Sequence, residues 1–205
     1  RALAYVVAAA DDKAHNHPDA EVRKQNQAYI DLYIPVIKGW FTETSVDLTS
    51  LGVQVHGGMG FVEETGAAQY FRDSRITPIY EGTTAIQAND FIGRKMAKEG
   101  GATIKAVLET MKSTLKEVEA QQGDAFKAIA RSLDAGIKAV EEAVAFVLAT
   151  YKENPKVPSV GSVTFLKMFG IVSGGWQMAR AALVAQKKLD GGDTDTDFMK
   201  SKITV

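Results

Sequence analysis

The sequence contains no cysteine among its 205 residues and only 5 prolines. Without cysteine the chain cannot form a disulfide, use a thiolate nucleophile or bind a metal through sulfur. The absence of cysteine fits a protein of a reducing compartment, and we expect a cytoplasmic location. Few prolines leave room for long uninterrupted helices.

The sequence also lacks a large excess of either charge and has no long apolar run. The 24 basic and 25 acidic residues give a net charge of −1, so no basic surplus points to nucleic acid. No apolar stretch reaches the roughly 20 residues that a membrane-spanning helix needs. The apolar residues 2–10 run directly into Asp11 and Asp12, which indicates a helix and not a signal peptide.

Apolar residues at steps of three and four are the main structural signal. They predict about seven helices and no convincing strand, so we expect an all-α fold. One long stripe is assigned to the packed core, with a bend at Pro35. The stripe consists of Tyr29, Leu32, Tyr33, Val36, Ile37, Trp40, Phe41, Thr44, Leu48, Leu51 and Val55.

The pair Gly100-Gly101 divides the chain into two predicted helical units, residues 1–99 and residues 102–205. The second unit contains a long amphipathic pattern from Phe126 to Tyr151 and another over residues 163–183. In the latter, the run 173–175 (Ser-Gly-Gly) predicts close approach of a neighbouring helix. Because the sequence begins and ends within helix-like patterns, we expect a fragment truncated at both ends.

Glu81 lies in the short link between two helical patterns. Pro78 disfavours helix at the residue before it, so the first pattern is predicted to end near Thr77. Thr83 can be the N-cap of the next helix, which places Glu81 beside free backbone N–H groups. Apolar neighbours would raise the pKa of this carboxylate and the helix dipole would lower it, and the sequence leaves open which effect is larger.

Two motifs, in the order and at the distance that the family has, carry a resemblance to a known protein family. The first is residues 54–61 (QVHGGMGF) and the second is residues 72–83 (RDSRITPIYEGT). Together they resemble the C-terminal helical domain of the acyl-CoA dehydrogenase flavoenzymes, an up-and-down helical bundle. Residues 165–170 and 174–176 are similar to the additional helical domain of a long bacterial subclass that includes 3-(methylthio)propanoyl-CoA dehydrogenases.

The resemblance implies a catalytic role for Glu81. In the family, the corresponding Glu is the base that removes the pro-R α-proton of an acyl-CoA thioester. The β-hydrogen leaves as hydride to N5 of FAD, and the product is a trans-2-enoyl-CoA. The N–H of Glu81 is implied to polarise the thioester carbonyl together with a flavin ribityl hydroxyl, and Gly82 is implied to lie against the substrate.

The resemblance also implies a cofactor surface. Gln54, Gly57 and Gly58 fall where the family contacts the adenosine and pyrophosphate of FAD in a neighbouring subunit, which implies a homo-oligomer, a dimer or tetramer. Thr83 falls where the family contacts FAD in its own neighbourhood. The structural alternative is that Gly57-Gly58 forms a left-handed helix cap.

One departure from the family pattern concerns the position two residues after Thr83. Many relatives have Gln there, whereas this sequence has Ala85, so only backbone contact with the cofactor remains possible at that position. Gln87 is a candidate substitute. His15 and His17 have the spacing of a ligand pair but no clear third ligand, and we predict no metal site.

Three functions remain open at this level. The leading interpretation is part of an FAD-dependent acyl-CoA dehydrogenase that passes electrons to electron-transfer flavoprotein and is inactive as a fragment. The second is an acyl-CoA oxidase of related fold, which would pass electrons to oxygen. The third is a non-enzymatic helical module for oligomerisation or docking, in which Glu81 would be dispensable.

Overall fold

The computed structural model describes residues 1–204, and this range contains helices and no β-strand. The all-α prediction is confirmed. Within the same range, no helix is both long and apolar enough to cross a lipid bilayer. The α-helices are α1 (Ala2–Asn16), α2 (Ala20–Val36), α3 (Thr42–Val55), α4 (Gly58–Phe61), α5 (Ala67–Ser74), α6 (Thr84–Ile92), α7 (Ala102–Glu119), α8 (Asp124–Thr150), α9 (Lys156–Val160), α10 (Ser162–Asp190) and α11 (Thr196–Ile203).

The estimate of about seven helices was too low. Short helices such as α4 and α9 carry too few residues for a periodic apolar pattern, so the sequence signal does not reveal them. The long patterns were predicted well. The helix predicted from Phe126 onward is α8, and the pattern over residues 163–183 lies within α10.

A π-helical turn separates α2 from α3. Pro35 lies inside α2, and the helix widens at Ile37–Phe41 before α3 begins at Thr42. Proline removes one backbone donor from the helical ladder, and wide turns of this kind are local insertions into an α-helix. The hydroxyl of Thr42 donates to the Lys38 carbonyl oxygen at 2.6 Å and so satisfies one acceptor within the turn.

The core assignment of the long apolar stripe is correct only for its first half. Tyr33 and Val36 are fully buried, but Leu48, Leu51 and Val55 are 62%, 60% and 86% exposed. The π-helical turn adds about one residue and rotates the following helix by roughly 100°, which turns these side chains away from the core. The assignment of these three residues to the core was therefore wrong.

Helix α10 lies at the centre of the fold and packs against α1, α2, α6, α7 and α8. The ring of Phe169 lies 5.4 Å from that of Tyr33 and 5.3 Å from that of Phe91. These contacts join residues from both sides of Gly100-Gly101 in one hydrophobic core.

The Trp40 side chain packs against two glycines of α10. A Cβ atom at Gly170 would lie 2.5 Å from the Trp40 ring, and one at Gly174 would lie 3.0 Å from it. A Cβ atom at Gly175 would meet nothing within 4 Å. The predicted close approach in residues 173–175 is thus found at Gly174 and not at Gly175.

Candidate active site and cofactor surface

Glu81 lies in the turn between α5 and α6, and its backbone is unusual. Helix α5 ends at Ser74, three residues before the predicted end at Thr77. The φ angle of Glu81 is +55°, and Glu81 is the only non-glycine residue with positive φ in the described range. A left-handed conformation costs an ordinary residue about 1–2 kcal/mol, and strain of this kind is frequent at functional sites.

Free backbone donors surround the Glu81 turn. Among residues 1–204, the N–H groups of Glu81, Gly82 and Thr83 have no intramolecular acceptor. Helix α6 begins immediately afterwards, so the unpaired N–H groups of its first turn lie next to them. The turn therefore presents several N–H donors around one carboxylate, which can polarise an acceptor bound beside it.

Thr83 occupies the predicted N-cap position of α6 with an extended backbone, but its side chain makes no capping hydrogen bond. The predicted position was correct and the predicted side-chain cap was wrong. The start of α6 is instead tied to α3 by the neighbouring Thr84, whose hydroxyl donates to Oε1 of Glu43 at 2.5 Å. The Thr83 hydroxyl remains available to a bound molecule.

The surroundings of Glu81 are open in this chain. Glu81 is exposed, and Ile79 and Tyr80 are 53% and 51% exposed. The described residues therefore do not enclose this carboxylate in apolar surroundings. The carboxylate lies on a partly apolar surface, where another molecule or polypeptide segment can contact it.

Two side chains outside the motifs hold this turn. The Lys38 Nζ atom donates to the Thr77 carbonyl oxygen at 2.5 Å and lies 5.0 Å from the centre of the Tyr80 ring. The Gln87 Nε2 atom donates to the Glu81 carbonyl oxygen at 3.4 Å. No local pattern in the sequence indicates the contact of Lys38, because Lys38 lies 39 positions from Thr77.

Gly57 precedes α4 and Gly58 is its first residue, and the two form an open glycine loop at the junction of α3 and α4. The backbone angles of Gly57 are φ +61° and ψ −142°, whereas a left-handed cap has ψ near +47°. The alternative of a left-handed cap at Gly57 is therefore wrong. A Cβ atom at either glycine would meet nothing within 4 Å, and the exposed Gln54 side chain makes no hydrogen bond within the described range.

Close packing and an ion pair fix the surroundings of this glycine loop. A Cβ atom at Gly60 would lie 2.2 Å from the Val53 carbonyl oxygen, so α4 packs directly against α3. Arg72 donates two hydrogen bonds to the Glu63 carboxylate, at 2.9 and 2.8 Å. These bonds and the Arg72 charge lower the pKa of Glu63. Because both groups are exposed, the pair orients the loop more than it stabilises the fold.

The predicted site residues fall in two separate places. Glu81, Gly82 and Thr83 lie together near the start of α3, where Glu43 bonds to Thr84. Gln54 lies eleven positions beyond Glu43 in the sequence, which corresponds to roughly 16 Å along the helix. The structure therefore does not join the three residues of the Glu81 turn and the glycine-loop residues in one cluster.

Family comparisons account for both parts of the chain. Residues 1–97 match the family model described as acyl-CoA dehydrogenase, C-terminal domain. Residues 102–205 match the model described as acetyl-CoA dehydrogenase C-terminal like.

Individual relatives agree with these matches. The chain is 43% identical over its whole length to 3-methylmercaptopropionyl-CoA dehydrogenase of Ruegeria pomeroyi, of which it covers 34%. It is 33% identical over 85% of its length to the broad-specificity linear acyl-CoA dehydrogenase FadE5 of Mycobacterium tuberculosis, covering 30% of that protein. It is also 29% identical over its whole length to a butyryl-CoA dehydrogenase of Syntrophomonas wolfei, covering 34%.

The chain thus spans about a third of the length of these relatives. The two family models meet at the Gly100-Gly101 region and together cover nearly every residue. The all-helical fold of the described residues agrees with the resemblance inferred from the two motifs. The chain therefore belongs to the acyl-CoA dehydrogenase family, and it corresponds to the C-terminal helical part of that family.

Proposed function

We propose that this chain is part of an FAD-dependent acyl-CoA dehydrogenase in which Glu81 removes the α-proton of an acyl-CoA thioester. The observation that carries the proposal is the Glu81 turn. Its carboxylate is exposed, its backbone has a φ angle of +55°, and its own N–H has no intramolecular acceptor within residues 1–204. One residue thus offers both a base and a hydrogen-bond donor.

The proposed reaction needs both of these groups. An α-proton beside a thioester is too weakly acidic for a free carboxylate, so the carbonyl oxygen must receive hydrogen bonds while the base lies in contact with the α-carbon. The Glu81 N–H can donate to that oxygen. Gly82 has no side chain to obstruct the substrate. The Glu81 carboxylate then takes the proton.

The chain also fits an FAD cofactor. The open backbone at Gly57 and Gly58 and the free Gln54 amide are suited to a phosphate-containing group, and the free Thr83 hydroxyl is suited to a second contact. The separation of Thr83 from Gln54 agrees with contacts to the flavins of two subunits. When bound, the flavin would accept the β-hydrogen of the substrate as hydride.

Several features of the complete protein belong to the same proposal. The substrate is an acyl-CoA, the electron acceptor is electron-transfer flavoprotein, and the assembly is a homo-oligomer. Residues 1–99 and 102–205 correspond to the bundle and to the additional helical domain, and the chain alone is inactive. The cytoplasmic location stays a prediction from composition.

A Glu81→Gln variant of the complete, FAD-loaded protein tests the proposal. We expect anaerobic mixing with a panel of acyl-CoAs to bleach the oxidised flavin in the parent protein. In the variant, the rate of bleaching should fall by about 10²- to 10⁴-fold, because an amide cannot act as the general base. Flavin binding should be unchanged, since the substitution preserves size and leaves the backbone donor in place.

Glu117→Gln is the matched control, because Glu117 is also exposed but lies on α7. Normal bleaching in Glu81→Gln would reject Glu81 as the base. Absence of flavin from the complete parent protein would favour the docking module. Rapid reoxidation of the reduced flavin by oxygen would identify an oxidase.

A further inference from the structure

We propose that Lys38 and Gln87 are positioning residues for Glu81. This inference rests on the proposed function, because it assigns these two side chains to the same proton-abstraction step. Neither belongs to the two motifs that led to Glu81. Lys38 comes from the π-helical turn Ile37–Phe41, and Gln87 comes from the first half of α6.

The left-handed backbone of Glu81 requires support from its surroundings. A residue with a side chain keeps such a conformation only when neighbouring contacts exclude the alternatives. Inside the turn, the N–H groups of Ile79 and Tyr80 both bond to the Ile76 carbonyl, at 3.0 and 3.1 Å. Glu81 and Gly82 lie beyond the last of these bonds, so contacts from other elements must fix them.

Lys38 holds the front of the turn at two points. Its ammonium group donates to the Thr77 carbonyl oxygen at 2.5 Å and faces the Tyr80 ring at 5.0 Å. The side chain is half-buried, which strengthens both contacts relative to a solvated lysine. Tyr80 directly precedes Glu81, so the position of its ring constrains the backbone that carries the carboxylate.

Gln87 holds the end of the turn. Its amide donates to the Glu81 carbonyl oxygen, and a Cβ atom at Gly82 would lie 2.9 Å from the same Nε2 atom. The absence of a side chain at Gly82 therefore lets Gln87 reach Glu81. A Cβ atom at Gly39 would lie 3.6 Å from the Gln87 Cβ atom, so Gln87 packs against the π-helical turn that also carries Lys38.

Loss of either contact should misplace the Glu81 carboxylate without removing it. Displacement of a catalytic group by about 1 Å can lower a rate by about 10²-fold. The affinity for acyl-CoA and for flavin should change little, because the Lys38 ammonium and the Gln87 amide nitrogen both donate to backbone carbonyl oxygens of the turn itself. The cofactor contact considered for Gln87 from the sequence is therefore not part of this proposal. The proposal thus predicts a defect in proton removal that is separate from binding.

The experiment uses the complete, FAD-loaded protein and a 3-thia-acyl-CoA, which has α-hydrogens but no β-hydrogen. Exchange of its α-hydrogens for deuterium in D2O, measured by mass spectrometry, reports proton removal without hydride transfer. Titration of the flavin absorbance gives the dissociation constant. We expect Lys38→Met and Gln87→Leu to slow exchange by about 10- to 100-fold with an unchanged dissociation constant, and Lys38→Arg to stay within a few-fold of the parent.

Lys95→Met is the matched control. Lys95 is half-buried and lies in the second π-helical turn, Gly93–Ala97, but its ion-pair partner is Asp31 at 3.8 Å. This variant should exchange at the parent rate.

Glu81→Gln, measured in parallel, separates failure of the inference from failure of the proposed function. Normal exchange in Glu81→Gln would reject the proposed base itself. Slow exchange in Glu81→Gln, with parent-like exchange in Lys38→Met and Gln87→Leu, would reject the positioning role alone. Loss of flavin or of folding in Lys38→Met, with parent-like exchange in Gln87→Leu, would also overturn it, because Lys38 would then be merely structural.

Discussion

At the scale of single residues, Glu81 combines a functional side chain with an unfavourable backbone. Its φ angle of +55° lies in the region that glycine adopts most easily, and Gly82 beside it has a φ angle of +95°. Selection for fold stability alone would favour glycine at both positions. The presence of Glu at the first position is the kind of local conflict that a functional requirement explains.

Substitution by Ala and by Gly, at Glu81 and at a control position, tests this backbone strain without any assay of activity. At an exposed position inside a long helix, such as Arg131 of α8, Ala should be more stable than Gly by about 0.5–1 kcal/mol. At Glu81 the order should reverse, and Glu81→Gly should be more stable than Glu81→Ala by about 1 kcal/mol, because only glycine adopts positive φ without strain. Urea unfolding of the four variants measures both differences. Greater stability of Glu81→Ala would show that the turn is unstrained.

The sequence predicted this turn in part, because some of its signals are local. Pro78 and the apolar spacing after Thr83 place a break and a new helix start within a few residues. The left-handed angle of Glu81 has no such signal, since nearly any residue type other than glycine disfavours it. Lys38 and Thr77 are 39 positions apart, and their contact depends on how α3 and the π-helical turn before it pack against α5, which spacing in one segment cannot reveal.

At the scale of helices, the π-helical turn between α2 and α3 explains both a wrong prediction and the site geometry. In a continuous α-helix Leu48, Leu51 and Val55 would continue the apolar stripe that contains Tyr33, but the inserted turn changes the phase of α3 and leaves them exposed. The same turn carries Lys38 toward Thr77 and Trp40 toward α10. The apolar periodicity predicted these helices correctly but did not reveal the π-helical insertion. With one extra residue, the apolar residues still recur at steps of three and four and still resemble one continuous stripe.

The contact between Trp40 and α10 gives a test at this scale. Gly170→Ala should lower the free energy of unfolding by about 1–3 kcal/mol, because the new Cβ would lie 2.5 Å from the Trp40 ring. Gly175→Ala in the same helix meets nothing within 4 Å and should raise that free energy by about 0.5–1 kcal/mol. Chemical denaturation compares the two variants with the parent chain. Stabilisation by both substitutions would mean that Trp40 does not pack closely on α10.

At the scale of the whole molecule, the regions matched by the two family models share one hydrophobic core. The family models divide the chain near Gly100-Gly101, yet Phe91 contacts Phe165 and Phe169 across that division. The hydroxyl groups of Tyr33 and the buried Ser173 also form a hydrogen bond, with 3.0 Å between the two oxygens. The glycine pair therefore marks a boundary between family models but not between hydrophobic cores. Helix α10, which follows the pair, packs against the helices that precede it and supports the Glu81 turn.

This shared core predicts that residues 1–101 alone lose cooperative folding. Removal of α10 would expose Phe91 and Tyr33, both 0% exposed in the intact chain, and each large apolar side chain contributes about 1.5–3 kcal/mol when buried. Calorimetry should therefore detect no sharp thermal transition for residues 1–101. A chain ending at Gly192 lacks α11, which contributes only the partly buried Ile203 to the central cluster, and should still unfold cooperatively. A sharp transition in the shorter fragment would instead establish two independently folding domains joined at Gly100-Gly101.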